Sequence, residues 1–338
     1  MLHSSSEAPI EAVKEPPALG LSLVVPVFNE AECIGELYAE IDRVLDRLEE
    51  TVEIIFVDDG SSDGSGAILD TLADKDPRVR IAHFRRNYGK SSALDYAFRT
   101  ARGEIVITMD ADLQDDPAEI PNFLTALAEG HDVVSGWKRE RQDPISKTLP
   151  SLFFNWCTRK ISGLQLHDFN CGFKAYRREA LSDLRLYGEL HRYIPALLHW
   201  DGFRVGEIAV VHRPRFAGKS KFGAKRLLTG AFDILTVVLT AKFRNRPLHF
   251  FGIAAFALGL IGFLALSWLF LMSVLQIEPL HPRPMLYGSI LLIVLSMLLI
   301  ATGLIGELIK SLAPQSTDYR LRTRKSQTPP QENGGEHG

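Results

Sequence analysis

Apolar residues in this chain occur in runs of three kinds. The first kind is short and continuous: Leu21–Phe28, Val52–Val57, Val79–Phe84, Glu104–Met109 and Asp132–Gly136. These runs do not alternate polar with apolar positions, so each predicts a strand buried on both faces. Helical segments separate them. One covers about 31–48, with Asn29 placed to cap it. Another follows a turn after the second strand and ends near Ala73. A third runs from Lys90 to about Ala101, and a fourth covers Pro117–Glu129, where an early proline is favourable. A last strand precedes His212. Strands alternating with helices predict an α/β fold with a mostly parallel sheet. Ligands on such sheets bind beyond the carboxyl ends of the strands.

The second kind of run is amphipathic. In Ile145–Ile161, Ile145, Leu149, Leu152, Phe153, Trp156 and Ile161 fall near one face, opposite Lys147, Arg159 and Lys160. Phe222–Phe243 has an apolar stripe with basic residues at its ends. Two readings are open for each: a helix on a membrane surface, or a helix packed on the protein's own sheet. The third kind is long and uncharged. Phe250–Val274 and Met285–Ile309 are each long enough to cross a bilayer, with Glu307 at the end of the second. Their short, proline-rich connector makes them a transmembrane hairpin. Lys242, Arg244 and Arg246 precede it, and Lys310, Arg320, Arg322, Arg324 and Lys325 follow, whereas the connector carries only Arg283. Positive charge on the flanks predicts that both termini and the head lie in the cytosol at the cell membrane.

The expected organisation is a disordered tail at 1–20, a catalytic head at 21–222, a juxtamembrane helix at 223–247, the hairpin at 248–309 and a cytosolic tail at 310–338. The 338 residues carry a formal net charge of −3, which argues against nucleic acid as a partner. The three cysteines, Cys33, Cys157 and Cys171, have neither zinc nor redox spacing and read as reduced thiols.

Chemistry gathers at two strand ends. Asp58-Asp59-Gly60-Ser61 follows the second strand, and Asp110-Ala111-Asp112-Leu113-Gln114-Asp115-Asp116 follows the fourth. Asp110, Asp112 and Gln114 offer a compact set of hard oxygens suited to Mg²⁺ or Mn²⁺ bridging a diphosphate. Gly89-Lys90-Ser91 and Gly218-Lys219-Ser220 imitate the end of a phosphate loop, but the required first glycine is replaced by Phe84 and Arg213. A basic cluster of His212, Arg213, Arg215, Lys219 and Lys221 precedes the second amphipathic run. It suits an anion clamp or general attraction to acidic headgroups. His167 and His191 lack an accompanying nucleophile motif, so His191 reads as structural.

Val25-Pro26-Val27-Phe28-Asn29-Glu30, Asp58-Asp59-Gly60-Ser61 and Asp110-Ala111-Asp112-Leu113-Gln114 occur in the order seen in family-2 glycosyltransferases of the GT-A fold. Further matching stretches are Arg86–Lys90, Asp168–Lys174, His191–Pro195 and Arg213–Lys221. The chain most resembles the polyprenyl-phosphate glycosyltransferases, including dolichol-phosphate mannose synthase and bacterial undecaprenyl-phosphate glucosyltransferases. That resemblance implies a GT-A, Rossmann-like head with amphipathic membrane-surface helices and the hairpin. It implies transfer of one sugar, with inversion, from a nucleotide-sugar to a polyprenyl phosphate. Pro26, Asn29, Glu30, Asp58, Asp59, Lys90 and Asp110 would contact the donor. Asp110, Asp112 and Gln114 would hold the metal, and Asp112 and Asp168 would be catalytic. Arg213, Arg215, Lys219 and Lys221 would hold phosphate. UDP-glucose is the favoured donor, with GDP-mannose or a UDP-N-acetylhexosamine as alternatives, and a different lipid acceptor is the competing reading. A homo-oligomer is compatible with the resemblance. The Gln-x-x-Arg-Trp motif of processive synthases is missing.

Overall fold

A computed structural model describes residues 19–139, 145–213, 247–275 and 284–312, together with Thr236 and Phe243. Within 145–162 the side chains of residues 145–151 and 153 are not described, nor are those of 310 and 311. Residues 1–18 of the tail expected at 1–20, residues 313–338 of the tail expected at 310–338, most of the juxtamembrane segment and the connector at 276–283 lie outside the described residues. The chain divides into two compact units, Met1–Val237 and Val238–Gly338.

The first unit is a seven-stranded sheet of order β3-β2-β1-β4-β6-β5-β7. The strands are β1 Leu21–Val27, β2 Val52–Asp58, β3 Val79–His83, β4 Ile105–Thr108, β5 Val133–Lys138, β6 Lys174–Arg177 and β7 Val205–Val210. β1 pairs in parallel with both β2 and β4, so β1 is the point where the strand order reverses. β6 runs antiparallel to β4 and β5. The mostly parallel α/β sheet expected from the apolar runs is therefore present, with one reversed strand inserted.

Alternate residues of each strand feed opposite faces. Leu21, Leu23, Val25 and Val27 of β1 pack on one face with Ile34, Leu37 and Ile41 of α1 (Ala31–Leu45) and Phe123 of α4 (Ile120–Ala128). Val24, Ile55 and Val57 pack on the other face with Ala93, Leu94 and Phe98 of α3 (Lys90–Thr100). Each large aliphatic side chain removed from water contributes about 1.5–3 kcal/mol. Helix α2 (Ser65–Lys75) adds the buried Leu69.

Helix α1 starts two residues after Asn29, but Asn29 does not cap it. Its backbone is left-handed, with φ 57°, and its Oδ1 accepts from the Ser62 N–H at 2.8 Å. Asparagine tolerates this conformation better than most residues. The loop after β2 serves the helix start instead. The Ser61 Oγ accepts from Asn29 N–H, Ser65 Oγ from Glu30 N–H, and Asp63 Oδ2 from Ala31 N–H. The ends of β1 and β2 are thus tied together by side chains across the sheet edge. The segment expected to be one helix from Pro117 is a 3₁₀ turn, Pro117–Glu119, leading into α4; Asp116 caps the turn through the Ala118 N–H.

Helix α5 spans Ile145–Ser162. Among its described side chains Asn155, Thr158 and Ser162 are buried, beside the half-buried Phe154. Leu152 and Trp156 are 54% and 53% exposed. So α5 does pack on the head, and these two expected apolar-face residues point outward. Helices α6 (Arg178–Leu181) and α7 (Ile194–Trp200) complete the face lined by α3.

In the second unit, helices Pro247–Val274 and Pro284–Leu312 are long and apolar enough to cross a membrane, and they pack together as a hairpin. Ser296 Oγ donates to the Ala255 carbonyl at 2.7 Å. A Cβ on Gly262 would meet the Ser289 carbonyl at 2.9 Å, so glycine permits this close approach. Glu307, at the far end of the second helix, accepts from the Leu248 N–H at the start of the first.

Candidate functional site

The ends of β2 and β4 flank the end of β1, so both acidic runs sit on one sheet edge. Pro26 is half-buried in β1, opposite Val57. Asp58 is 5% exposed; its Oδ1 accepts from Ser61 N–H and its Oδ2 meets His83 Nδ1 at 2.9 Å. Burial alone would raise the Asp58 carboxyl, but the hydrogen bonds from Ser61 and His83 outweigh it and lower its pKa. His83 was not visible as a partner in the sequence, because 25 residues separate the pair.

Asp59 uses both carboxylate oxygens on backbone, accepting from Tyr88 N–H at 2.7 Å and Gly89 N–H at 2.8 Å. Its contacts hold the loop that leads into α3. Gly60 has φ 73° there, and a Cβ on it would lie 2.5 Å from the Arg86 carbonyl carbon, so only glycine fits this crossing. Asp59 therefore fixes the approach of Lys90, the first residue of α3.

The run after β4 folds back on itself. Asp115, 1% exposed, accepts from the Asp110 N–H through Oδ2 and has Lys138 Nζ 3.6 Å from Oδ1. Leu113 takes φ 61°, a strained conformation for a leucine and of the kind that gathers at functional turns. Across this turn the Gln114 N–H donates to Asp112 Oδ1 at 3.3 Å. The segment after β7 runs alongside: Asp115 bridges His212, and the Arg213 N–H donates to the Gln114 carbonyl. Gln114 Nε2 contacts His212 Nε2 and the Arg213 carbonyl, both at 3.3 Å, leaving the amide oxygen as the end that can face a cation.

Asp110 lies between two neighbours. Lys90 Nζ donates to its Oδ1. On the other side, a Cβ built on Gly172 would lie 2.5 Å from Asp110 Oδ2. Burial would raise the Asp110 carboxyl, but the ammonium groups of Lys90 and Lys138 prevail and hold it well below the usual range. Gly172 is fixed in turn by its carbonyl, which accepts from Thr108 Oγ1 at 2.9 Å. Gly172→Ala should push the Asp110 carboxylate aside, lowering activity about tenfold to a hundredfold, on the scale seen when groups that orient ligands are removed. Rate measurements with circular dichroism as a fold control check this.

Asp168 is 1% exposed, and its Oδ1 accepts from the Asn170 N–H at 3.0 Å. Asn155 of α5 braces the residues on either side, donating to the His167 carbonyl and accepting from the Phe169 N–H. Asp110 and Asp168 both act electrostatically on the half-buried Lys138 and the buried Lys174. Burial drives the Lys174 ammonium down to about 8. Neither lysine stood out in the sequence, although Lys174 lies in one of the matching stretches. His191 is held by Ser91: its N–H donates to Ser91 Oγ, and its Nδ1 meets the same oxygen at 2.9 Å.

Arg213, expected to hold phosphate, is engaged by acidic side chains of the head. Its Nη1 donates to both carboxylate oxygens of Glu40 of α1, at 2.8–2.9 Å, and its Nη2 lies 2.8 Å from Asp116 Oδ2. Two nearby carboxylates satisfy it, so it ties α1 to the acidic run. Arg215, Lys219 and Lys221 lie outside the described residues.

Among the described residues, no three His, Cys, Asp or Glu side chains converge as a metal site. The expected set contains two carboxylates and one amide. That set fits an ion such as Mg²⁺, which is commonly held by one or two carboxylates together with substrate phosphates.

A model of glycosyl transferase family 2 matches residues 22–185. A dodecaprenyl-phosphate galacturonate synthase of Rhizobium johnstonii is 34% identical over 307 residues, covering 89% of this chain and 91% of that protein. The chain belongs to glycosyl transferase family 2. An undecaprenyl-phosphate 4-deoxy-4-formamido-L-arabinose transferase of Shewanella sediminis is 33% identical, covering 90% of each chain. A mannosyltransferase of Pyrobaculum calidifontis, solved with GDP-Man and Mn²⁺, aligns with a TM-score of 0.51 at 21% identity, covering 92% of this chain and 81% of that one. This family-2 glycosyltransferase therefore has the GT-A fold that its motifs implied.

Proposed function

We propose that this enzyme transfers a single sugar, with inversion, from a nucleotide-sugar to the phosphate of a polyprenyl phosphate at the cytosolic face of a membrane. One observation carries the reading. The alignment with the Rhizobium synthase, at 307 residues, is longer than the whole first unit, so the likeness extends into the unit bearing the apolar helices. The names of both relatives join a polyprenyl phosphate to a sugar. The two helices suit anchoring beside a lipid acceptor.

The acceptor phosphate is already an anion at neutral pH, so the protein's task is to align two anions rather than to supply a strong base. Asp110, Asp112 and the Gln114 amide oxygen would hold Mg²⁺ or Mn²⁺, as support from the Mn²⁺-bound Pyrobaculum neighbour suggests. The ion, when bound, supplies positive charge to the departing diphosphate. Pro26, Asn29, Glu30 and Asp58 would border the base and ribose. Asp59 would act through the 86–90 loop, and Lys90 would face the diphosphate. Asp168, braced by Asn155, would border the acceptor side. Arg215, Lys219 and Lys221 would meet the lipid phosphate.

The donor sugar is read more broadly than from the Asn87–Lys90 stretch, which favours UDP-glucose. The relatives' names carry galacturonate and a formamido-arabinose. The test is a panel of UDP-glucose, UDP-galacturonate, UDP-4-deoxy-4-formamido-L-arabinose, UDP-N-acetylhexosamines and GDP-mannose, each with undecaprenyl phosphate and Mg²⁺ or Mn²⁺. Release of nucleoside diphosphate from one donor, only when the lipid is present, is expected. Release from no donor would refute the reading.

A further inference from the structure

Among the described residues three lysines surround the acidic run, and they are not equivalent. Lys174 is 3% exposed, and its ammonium donates to the Cys171 carbonyl. Lys138 has 15% side-chain exposure and sits against the buried Asp115. Lys90 has 30% side-chain exposure, extends from the first residue of α3, and is paired with Asp110, whose side chain is 31% exposed. Lys90 thus occupies an oxygen of the carboxylate assigned to the metal, and of the three it has the most room to leave. Its helix start is held from behind by Asp59 through the Tyr88 and Gly89 N–H groups, so the ammonium can swing without the loop moving.

A divalent cation and an ammonium on one carboxylate repel each other. Two carboxylates and an amide are also a weak cage unless substrate phosphates complete it. We propose that Lys90 is an exchangeable counter-ion of Asp110. In the donor-free enzyme it neutralises the carboxylate and keeps free metal out. When the diphosphate arrives, its ammonium passes to the phosphate oxygens and Asp110 is released to the cation. Metal and nucleotide then enter together, and the positive charge near the leaving group rises only when a donor is present. Lys90 is a switch between two anions, one on the protein and one on the substrate. This inference rests on the metal reading of Asp110, Asp112 and Gln114 given above.

The experiment measures Mn²⁺ binding to the full-length protein in detergent by electron paramagnetic resonance of the free ion. Wild type, Lys90→Met, Lys90→Arg and Asp110→Asn are compared without nucleotide, with UDP and with GDP. Wild type should bind Mn²⁺ weakly alone and tightly with the matching nucleotide. Lys90→Met should bind Mn²⁺ alone more tightly than wild type, on the order of tenfold to a hundredfold. Lys90→Arg keeps the charge and should stay weak alone, which separates the charge effect from a packing defect. Circular dichroism establishes that each variant is folded. Equal Mn²⁺ affinity of wild type and Lys90→Met without nucleotide, with nucleotide-dependent binding intact, overturns the counter-ion role and leaves the metal site standing. Binding in neither condition, or binding unchanged in Asp110→Asn, removes the metal reading itself.

Discussion

Asp112→Ala should lower turnover by about a thousandfold or more and leave the fold intact. Asp112 is 8% exposed and lies at the turn made by Leu113 in its left-handed conformation. Loss of its carboxylate removes one of two charged oxygens assigned to the cation. Lewis-acid assistance to a leaving group is worth several kcal/mol, and each 1.36 kcal/mol is about tenfold in rate. Stability should change little, because Asp112 belongs to a crowded acidic run with Asp110, Asp115 and Asp116, and its removal relieves repulsion there. Steady-state rates with saturating donor and lipid, beside a melting curve, check both halves. Near wild-type turnover in a folded Asp112→Ala protein would take this residue out of the mechanism.

Glu53→Ala should give the largest loss of stability. Glu53 is 1% exposed at the core of the sheet. Its carboxylate accepts from Ser22 Oγ at 2.6 Å, from Arg102 N–H at 2.7 Å and Nε at 3.0 Å, and from an Arg80 guanidinium nitrogen at 2.6 Å. Ser22 Oγ also accepts from the Gly103 N–H, so one carboxylate joins β1, β2, β3 and the turn before β4. Breaking a buried ion pair by removing one partner costs about 3–5 kcal/mol. The lower end applies here, because the side chains of Arg80 and Arg102 are 37% and 54% exposed and can regain water. For a head of this size about 3 kcal/mol is roughly 6–12 °C in melting temperature. The sign of the pH dependence follows from the pKa. Burial would raise the Glu53 carboxyl, but its hydrogen bonds from Ser22, Arg102 and Arg80 outweigh burial and lower it from 4.5. Its stabilisation is therefore fully present above about 4.5 and is lost as pH falls through the lower folded value. The gap between wild type and variant should stay constant from pH 7 to 5 and close below that. Thermal melts of the detergent-solubilised protein across this range measure it.

Much of the fold was legible because β1, β2 and β4 are buried on both faces and so read as unbroken apolar runs. β6 was not, because Lys174-Ala175-Tyr176-Arg177 begins and ends with a charge and runs against its neighbours. The acidic ends of β2 and β4 were legible as one edge, since parallel strands carry their ends the same way. What escaped was long-range approach. Asn29 has the side chain of a helix cap, but the loop at 61–65 caps α1 in its place. The partner of Arg213, Glu40, lies 173 residues away. The contacts of Asp110 with Lys90 and Gly172 lie 20 and 62 positions apart in sequence and have no local signature.

The central claim is that one sugar moves onto the phosphate of a polyprenyl phosphate. Mass spectrometry of the lipid recovered after reaction with the accepted donor tests it most directly. The expected product is the lipid monophosphate heavier by one glycosyl residue, with one equivalent of nucleoside diphosphate released. An unchanged lipid, or a lipid diphosphate-sugar with nucleoside monophosphate released, would contradict it.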